Sequence, residues 1–291
     1  MGTIRASAVL SGFFTLTVPL MPIQAALLRV SPKAARRFPH WYHRQVCRLM
    51  GVKLEVEGTV VRDAPVLLVC NHTSWLDIPV LSALAPVSFV AKKEVGGWPF
   101  VSSLARLQRS VFIDRTRRHA TGDAASEIMG RLSIGDTIVL FPEGTSSDGN
   151  TVLPFKTSLF GAVKGSEAPL LQQIVVQTAA VVYTHRHGIP LTRAERPSVG
   201  WYGDMEMQQH AWEVLKSGPL TVTIRVSPPV PLDRFADRKE LALRSEREIR
   251  RAVLGILRGR PDDPALVPVE LSDETRRRSL ARPLETSEKW T

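Results

Sequence analysis

The sequence predicts an α/β fold: a mostly parallel central sheet flanked by helices, with an N-terminal helical segment set apart from it. Two observations carry the sheet. Short apolar runs of strand character alternate with helical stretches through the middle of the 291-residue chain, the pattern of strands joined by crossover helices. Three of those runs end in distinctive polar residues, Asn71-His72, Asp114-Arg115 and Glu143-Gly144-Thr145. Open α/β sheets collect ligands at the carboxyl ends of their strands. A third observation sets the N-terminus apart: Ala6 to Leu28 are 23 consecutive uncharged residues.

As a helix, that run would measure about 34 Å, enough to span a bilayer core. Pro19 and Pro22 predict a kink or a split into a re-entrant hairpin. Arg29, Lys33, Arg36, Arg37, Arg44 and Arg48 follow without an acid among them, with Trp41 and Tyr42 between. Cations and aromatics beside an apolar run mark a membrane interface, with the basic side toward the cytoplasm. Residues 1–48 are therefore expected to be a membrane-associated helical segment. Residues 49–260 form the main domain, and 261–291 a partly disordered tail of prolines and mixed charge.

Within the main domain, Val52 to Gly58 alternates apolar and polar residues, as a half-buried strand does. Val66 to Val69 reads as a buried strand and opens into a helix from about Trp75 to Leu84. Further strands are expected at Val87–Ala91, Ser110–Ile113, Thr137–Phe141, Ile174–Tyr183 and Thr221–Val226, and helices at Val101–Arg109, 120–132 and Asp237–Leu257. The last helix carries Leu241, Ile249, Val253 and Ile256 on one side.

Composition narrows the function classes. A net charge of +10 and a pI near 10.1 attract anions, either an anionic membrane or a nucleic acid. No nucleic-acid recognition module is present, and such a binder has no need of the apolar run. Cys47 and Cys70 are too few for a disulfide framework or a metal cluster. His185 and His187 lack a third ligand at metal spacing. Glycine-rich nucleotide signatures and the Gly-x-Ser-x-Gly elbow are absent, so no nucleotide cofactor and no serine nucleophile are expected.

His72 and Asp77 invite two readings. Five positions on a helix turn about 500°, so the pair meets only if His72 lies in the preceding turn and Asp77 in the first helical turn. Ser74 would then be the N-cap and Ser74-x-x-Asp77 a capping box. Alternatively Asp77 holds the imidazole, and a histidine held by a carboxylate activates a hydroxyl. Without a nucleophile of its own, the chain would act on a hydroxyl of the substrate. Arg115 offers a planar fork for a phosphate or carboxylate, and Gly144 permits close backbone approach.

Asn-His-x-x-x-x-Asp at 71–77, Val-Phe-Ile-Asp-Arg at 111–115 and Phe-Pro-Glu-Gly-Thr at 141–145 resemble, in order and spacing, three motifs of the lysophosphatidate acyltransferase-like glycerophospholipid acyltransferases. The resemblance implies acyl transfer from acyl carrier protein or acyl-CoA to the hydroxyl of a lysolipid, with no other cofactor and no metal. It implies His72 as base and Asp77 as its partner, and acceptor head-group binding by Arg115, Glu143, Gly144 and Thr145. It also implies docking at the cytoplasmic face of a bacterial inner membrane. The run Val175 to Ala180 lacks the proline that the family often has in a fourth motif. Trp201-Tyr202-Gly203-Asp204-Met205 resembles the branch that acylates lyso-ornithine lipid. A lysophosphatidate acceptor is the alternative, and a non-catalytic lipid-binding protein is the alternative from another class.

Overall fold

The structure, a computed structural model, describes residues 1–113, 118–161 and 173–259. The tail expected at 261–291 lies outside the described residues, as does Arg115.

Strand β2 (Val66–Cys70) is buried at every position. Val66, Leu68 and Cys70 join one apolar cluster, and Leu67 and Val69 another. This period-two division is that of a strand covered on both faces. Around it the described strands are β1 (Val52–Glu57), β3 (Val87–Lys92), β4 (Val111–Ile113), β5 (Thr137–Leu140), β6 (Val175–Arg186), β7 (Ile189–Pro190), β8 (Leu220–Val226) and β9 (Val230–Pro231). The sheet order is β1-β8-β6-β2-β5-β3-β4, with the two short strands beside β6. Strands β2 to β6 run parallel to one another. Strand β8 is antiparallel to β6 and parallel to β1, so one edge reverses direction. The expected mostly parallel α/β sheet is what the chain forms.

Helices α1 (Gly2–Val30), α2 (Pro32–Met50), α3 (Asp77–Leu84) and α6 (Met207–Ser217) contribute to the first cluster. Helices α5 (Arg118–Ser133) and α7 (Arg238–Leu257) contribute to the second, on the opposite face. Helix α4 (Val101–Leu107) links β3 to β4.

Helices α1 and α2 form an antiparallel hairpin. Arg5 donates to the Met50 carbonyl at 2.7 Å, Thr17 and Tyr42 share a hydrogen bond of 2.7 Å, and Gln24 donates to the carbonyls of Ala35 at 3.0 Å and Leu107 at 2.9 Å. The break expected at Pro19 or Pro22 does not occur there. Helix α1 runs through both, because both lie on its outward side, and the chain turns instead at Ser31, with Pro32 at the start of α2. The inner stripe of α1 includes the polar Thr17 and Gln24, while Leu10, Phe14, Val18, Ile23 and Leu28 face outward. Only 17% of its most apolar window is buried. The inner side also holds Ala6, Val9, Phe13, Leu16 and Leu20, so α1 carries apolar residues on both its packed and its outward sides.

At the other end of the strands, Asp136 ties the layers together. Its carboxylate meets Arg36 of α2 at 2.7 Å, Arg109 after α4 at 2.8 Å and Arg131 of α5 at 2.5 Å. Arg131 also donates to Ser88 at 2.7 Å. Removing one partner of a buried charge cluster leaves the others uncompensated. Asp136→Ala should therefore lower stability by roughly 3–5 kcal/mol, read as a lower unfolding temperature of the detergent-solubilised protein. An unchanged midpoint would show that the three arginines do not depend on this carboxylate.

Candidate active site

Strand β2 ends at Cys70, and the next seven residues form a turn closed around one carboxylate. Asp77, at the start of α3, is fully buried. Its Oδ2 accepts from His72 Nδ1 at 2.8 Å, from the backbone N–H of Thr73 at 2.7 Å and from that of Ser74 at 3.0 Å. Its Oδ1 accepts from the Tyr183 hydroxyl at 2.7 Å. The dyad is formed, whereas Ser74 is not the N-cap that the spacing suggested, because α3 begins at Asp77 with Leu76 in that place. Asp77 holds His72, and it also reaches back to the Ser74 N–H as a capping-box acid does. The other half of the box is not formed: the Ser74 hydroxyl is buried without a hydrogen-bond partner.

The tautomer of His72 follows from these contacts. An ionised carboxylate only accepts, so Nδ1 must donate, and Nε2 carries the lone pair. The His72 side chain is 18% exposed. Its ring stacks on Phe141 at 4.2 Å with an interplanar angle of 20°, and Phe141 stacks in turn near Phe89. Asp77 thus fixes the tautomer and Phe141 the plane of the ring, leaving Nε2 as the basic atom.

Asn71 anchors the turn to the neighbouring strand. Its side chain donates to the Val181 carbonyl at 2.9 Å and accepts from the Val181 N–H at 2.8 Å. Tyr183, two residues further along β6, supplies the hydroxyl on Asp77. Burial, and then the negative charge of Asp77, push that hydroxyl well above its ordinary range. It therefore serves as a donor.

Glu143, at the end of β5, stands behind His72. One oxygen accepts from the His72 N–H at 2.7 Å and the other from the Leu153 N–H at 2.7 Å. At 1% exposure it presents no surface to a ligand. Gly144 follows with φ of +72°, a backbone conformation that favours glycine, and its N–H returns to the Phe141 carbonyl at 3.2 Å. Thr145 lies exposed on the turn. The Ser147 N–H donates to the His72 carbonyl at 2.8 Å, and the Trp201 N–H to the Thr73 carbonyl at 2.9 Å.

The structure thus brings His72, Asp77 and Glu143 together, with Gly144 and Thr145 on the adjoining turn. Asn71, Phe141 and Tyr183 complete the constellation and were not singled out as site residues from sequence. Asn71 precedes the histidine directly, and Tyr183 is the lone hydroxylated aromatic in an apolar strand. Among the described residues, no cluster of His, Cys, Asp and Glu has metal-binding geometry.

Comparison with known proteins places this geometry. The sequence model described as Acyltransferase matches residues 53–182. A lyso-ornithine lipid O-acyltransferase of Brucella abortus is 44% identical over 89% of this chain and 97% of its own length. One from Rhizobium meliloti is 43% identical over 83% of each. A 1-acyl-sn-glycerol-3-phosphate acyltransferase of Neisseria gonorrhoeae is 31% identical over 69% of this chain and 76% of its own. The crystal structure of the 1-acyl-sn-glycerophosphate acyltransferase of Thermotoga maritima shares the fold, with a TM-score of 0.63 over 90% of this chain and 97% of that one, at 23% identity.

Burial pushes the Glu143 carboxyl up to about 8, against the two N–H donors that pull it down. An unfolded chain would release that proton near 4.5. The folded chain therefore binds the proton more tightly. The resulting stabilisation is complete below the ordinary carboxyl range and is lost as pH rises through about 8. The unfolding temperature should fall more steeply between about pH 5 and pH 8 in the wild type than in Glu143→Gln. Parallel curves for the two proteins would show that Glu143 stays ionised in the fold.

Proposed function

The chain belongs to the acyltransferase family, and on that premise we propose that it transfers a fatty acyl group from an acyl thioester to the hydroxyl of lyso-ornithine lipid. It is an enzyme, an acyltransferase of lysolipids. The observation that carries the chemistry is the hydrogen bond from His72 Nδ1 to the buried Asp77 carboxylate, which leaves Nε2 as an oriented base. In the proposed step the lysolipid hydroxyl oxygen attacks the thioester carbonyl carbon, and His72 Nε2 takes the hydroxyl proton. The carbon–sulfur bond then breaks, and the thiolate leaves with the proton held by His72. Asp77 stabilises the transient imidazolium. Tyr183 and the two backbone N–H groups keep that carboxylate fixed.

The acceptor assignment is supported by the names of the relatives that are 43–44% identical over most of the chain. On this reading Arg115 meets the carboxylate of the amino-acid head group, and Gly144 and Thr145 line the same site. Glu143 positions His72 rather than touching the lipid. Acyl carrier protein or acyl-CoA is the donor. The outward face of α1 lies in the membrane at its cytoplasmic side, where the acyl chains of the acceptor already are. Each methylene kept from water is worth about 0.8 kcal/mol.

His72→Ala should cost about 10²–10⁴-fold in turnover with little change in unfolding temperature. Tyr183→Phe should cost about tenfold, mainly in kcat, since a hydrogen bond to a charged group contributes about 1.5–3 kcal/mol. Ordinary turnover in the alanine variant, assayed with labelled acyl donor, would remove His72 from the mechanism.

Deleting the gene should abolish ornithine lipid and accumulate its lyso form in the lipid profile of the host cells. A change confined to phosphatidic acid would instead make lysophosphatidate the acceptor.

A further inference from the structure

Helix α7 buries Leu241, Ala242, Ile249, Ala252 and Val253 against the sheet. Its outer side does not read as an ordinary solvated face. Leu243, Arg247, Arg251, Leu254 and Arg258 follow at spacings of four, four, three and four, so they share one stripe. All five are exposed, Leu243 at 49% and Leu254 at 48%. Arg247, Arg251 and Arg258 make no ion pair among the described residues, whereas neighbouring Arg250 is tied to Glu246 at 2.9 Å. The stripe is about 22 Å long, with two leucines set among three arginines.

Its place in the fold is specific. Helix α7 packs on the face of the sheet opposite the apolar hairpin of α1 and α2. It also touches the active site from behind. Val253 lines one depression with Asn71 and Thr73. Glu246 accepts from the Phe155 N–H at 2.8 Å, and two residues earlier Leu153 donates to Glu143, which holds His72.

We propose that this stripe docks the acidic face of an acyl carrier protein, which delivers the acyl thioester to His72 from the side away from the membrane. The inference rests on the acyl-thioester reading above and selects between its two donors. Charge complementarity sets the sign of the partner. The length of the stripe sets its shape: about four turns of helix with leucines among the arginines match an amphipathic acidic helix. The phosphates of a nucleotide would need one compact anion pocket instead. A bilayer surface is the weaker occupant, because the outward apolar residues that suit it lie across the sheet on α1.

The test compares the wild type with the double variant Arg247→Glu/Arg251→Glu on two donors carrying the same acyl group, acyl carrier protein and acyl-pantetheine. Docking predicts an apparent KM for the carrier-bound donor at least about tenfold higher in the variant, a gap that narrows as salt is raised. Turnover of acyl-pantetheine should be unchanged, which also shows that the variant folds. An equal loss on both donors, or no loss on the carrier protein, overturns the proposal. A second arm measures binding of fluorescent acyl carrier protein to the full-length His72→Ala protein in neutral micelles, with and without the charge reversals. Loss of binding on reversal supports the proposal, and unchanged binding overturns it. If the reversals abolish only adsorption to vesicles of anionic lipid, the stripe belongs to the bilayer and the proposal fails. Should no donor be turned over, the acyltransferase chemistry proposed above fails, while the binding arm still decides the docking surface.

Discussion

One carboxylate oxygen organises the functional end of this protein. Asp77 Oδ2 gathers the N–H groups of Thr73 and Ser74 and the imidazole Nδ1 of His72. A fully buried charge is tolerated only when it is paired and hydrogen-bonded, and here the donors come from the very turn that must be shaped. The carboxylate folds the turn, the turn delivers His72, and the same contact fixes which imidazole nitrogen is basic. Oδ1 extends the constraint to β6 through Tyr183. An amide here could keep one oxygen on the three N–H donors and give its NH2 to the Tyr183 hydroxyl, but it would carry no negative charge to stabilise an imidazolium. The carboxylate thus shapes the turn and, by its charge, serves the chemistry.

This explains why some of the site could be read from the residues and some could not. The His72–Asp77 contact is local, so spacing and helix geometry were enough to state the conditions under which the two side chains meet. Capping and dyad appeared as rivals because sequence cannot show one oxygen accepting from both the Ser74 N–H and His72. Tyr183 and Val181 lie more than a hundred residues away, and their places follow from the parallel register of β2 with β6, where Cys70 faces Ala179. No local pattern encodes that pairing. Glu143 was legible as a strand-end acid. Its direction was not, because it depends on two backbone N–H groups from separate loops. The α/β class was legible because buried strands are continuous apolar runs, whereas the reversal of β8 depends on long-range pairing.

The hairpin shows the same division. The length and apolarity of α1 are local properties and were plain. Where the chain would break was not, since a proline disturbs a helix only as far as its surroundings resist. Pro19 and Pro22 sit on the outward side, and the contacts of Thr17 and Gln24 hold the inner side to α2 and α4. Leu10, Phe14, Val18, Ile23 and Leu28 nevertheless leave a long helix with large apolar side chains on its outward side.

The net charge of +10 gains meaning once its location is known. Part of it lies in the Asp136 cluster, where three arginines are committed to holding layers together. Part lies on the outer stripe of α7, where Arg247, Arg251 and Arg258 carry no structural pairing among the described residues. The sheet separates this cationic helix from the apolar hairpin, and both flank the strand ends that carry His72. On the reading proposed above, an enzyme that joins a membrane-bound alcohol to an acyl group from the aqueous phase faces two media with incompatible surfaces. A two-faced sheet resolves that conflict, because each face can be dressed for one medium while the chemistry stays on the edge between them.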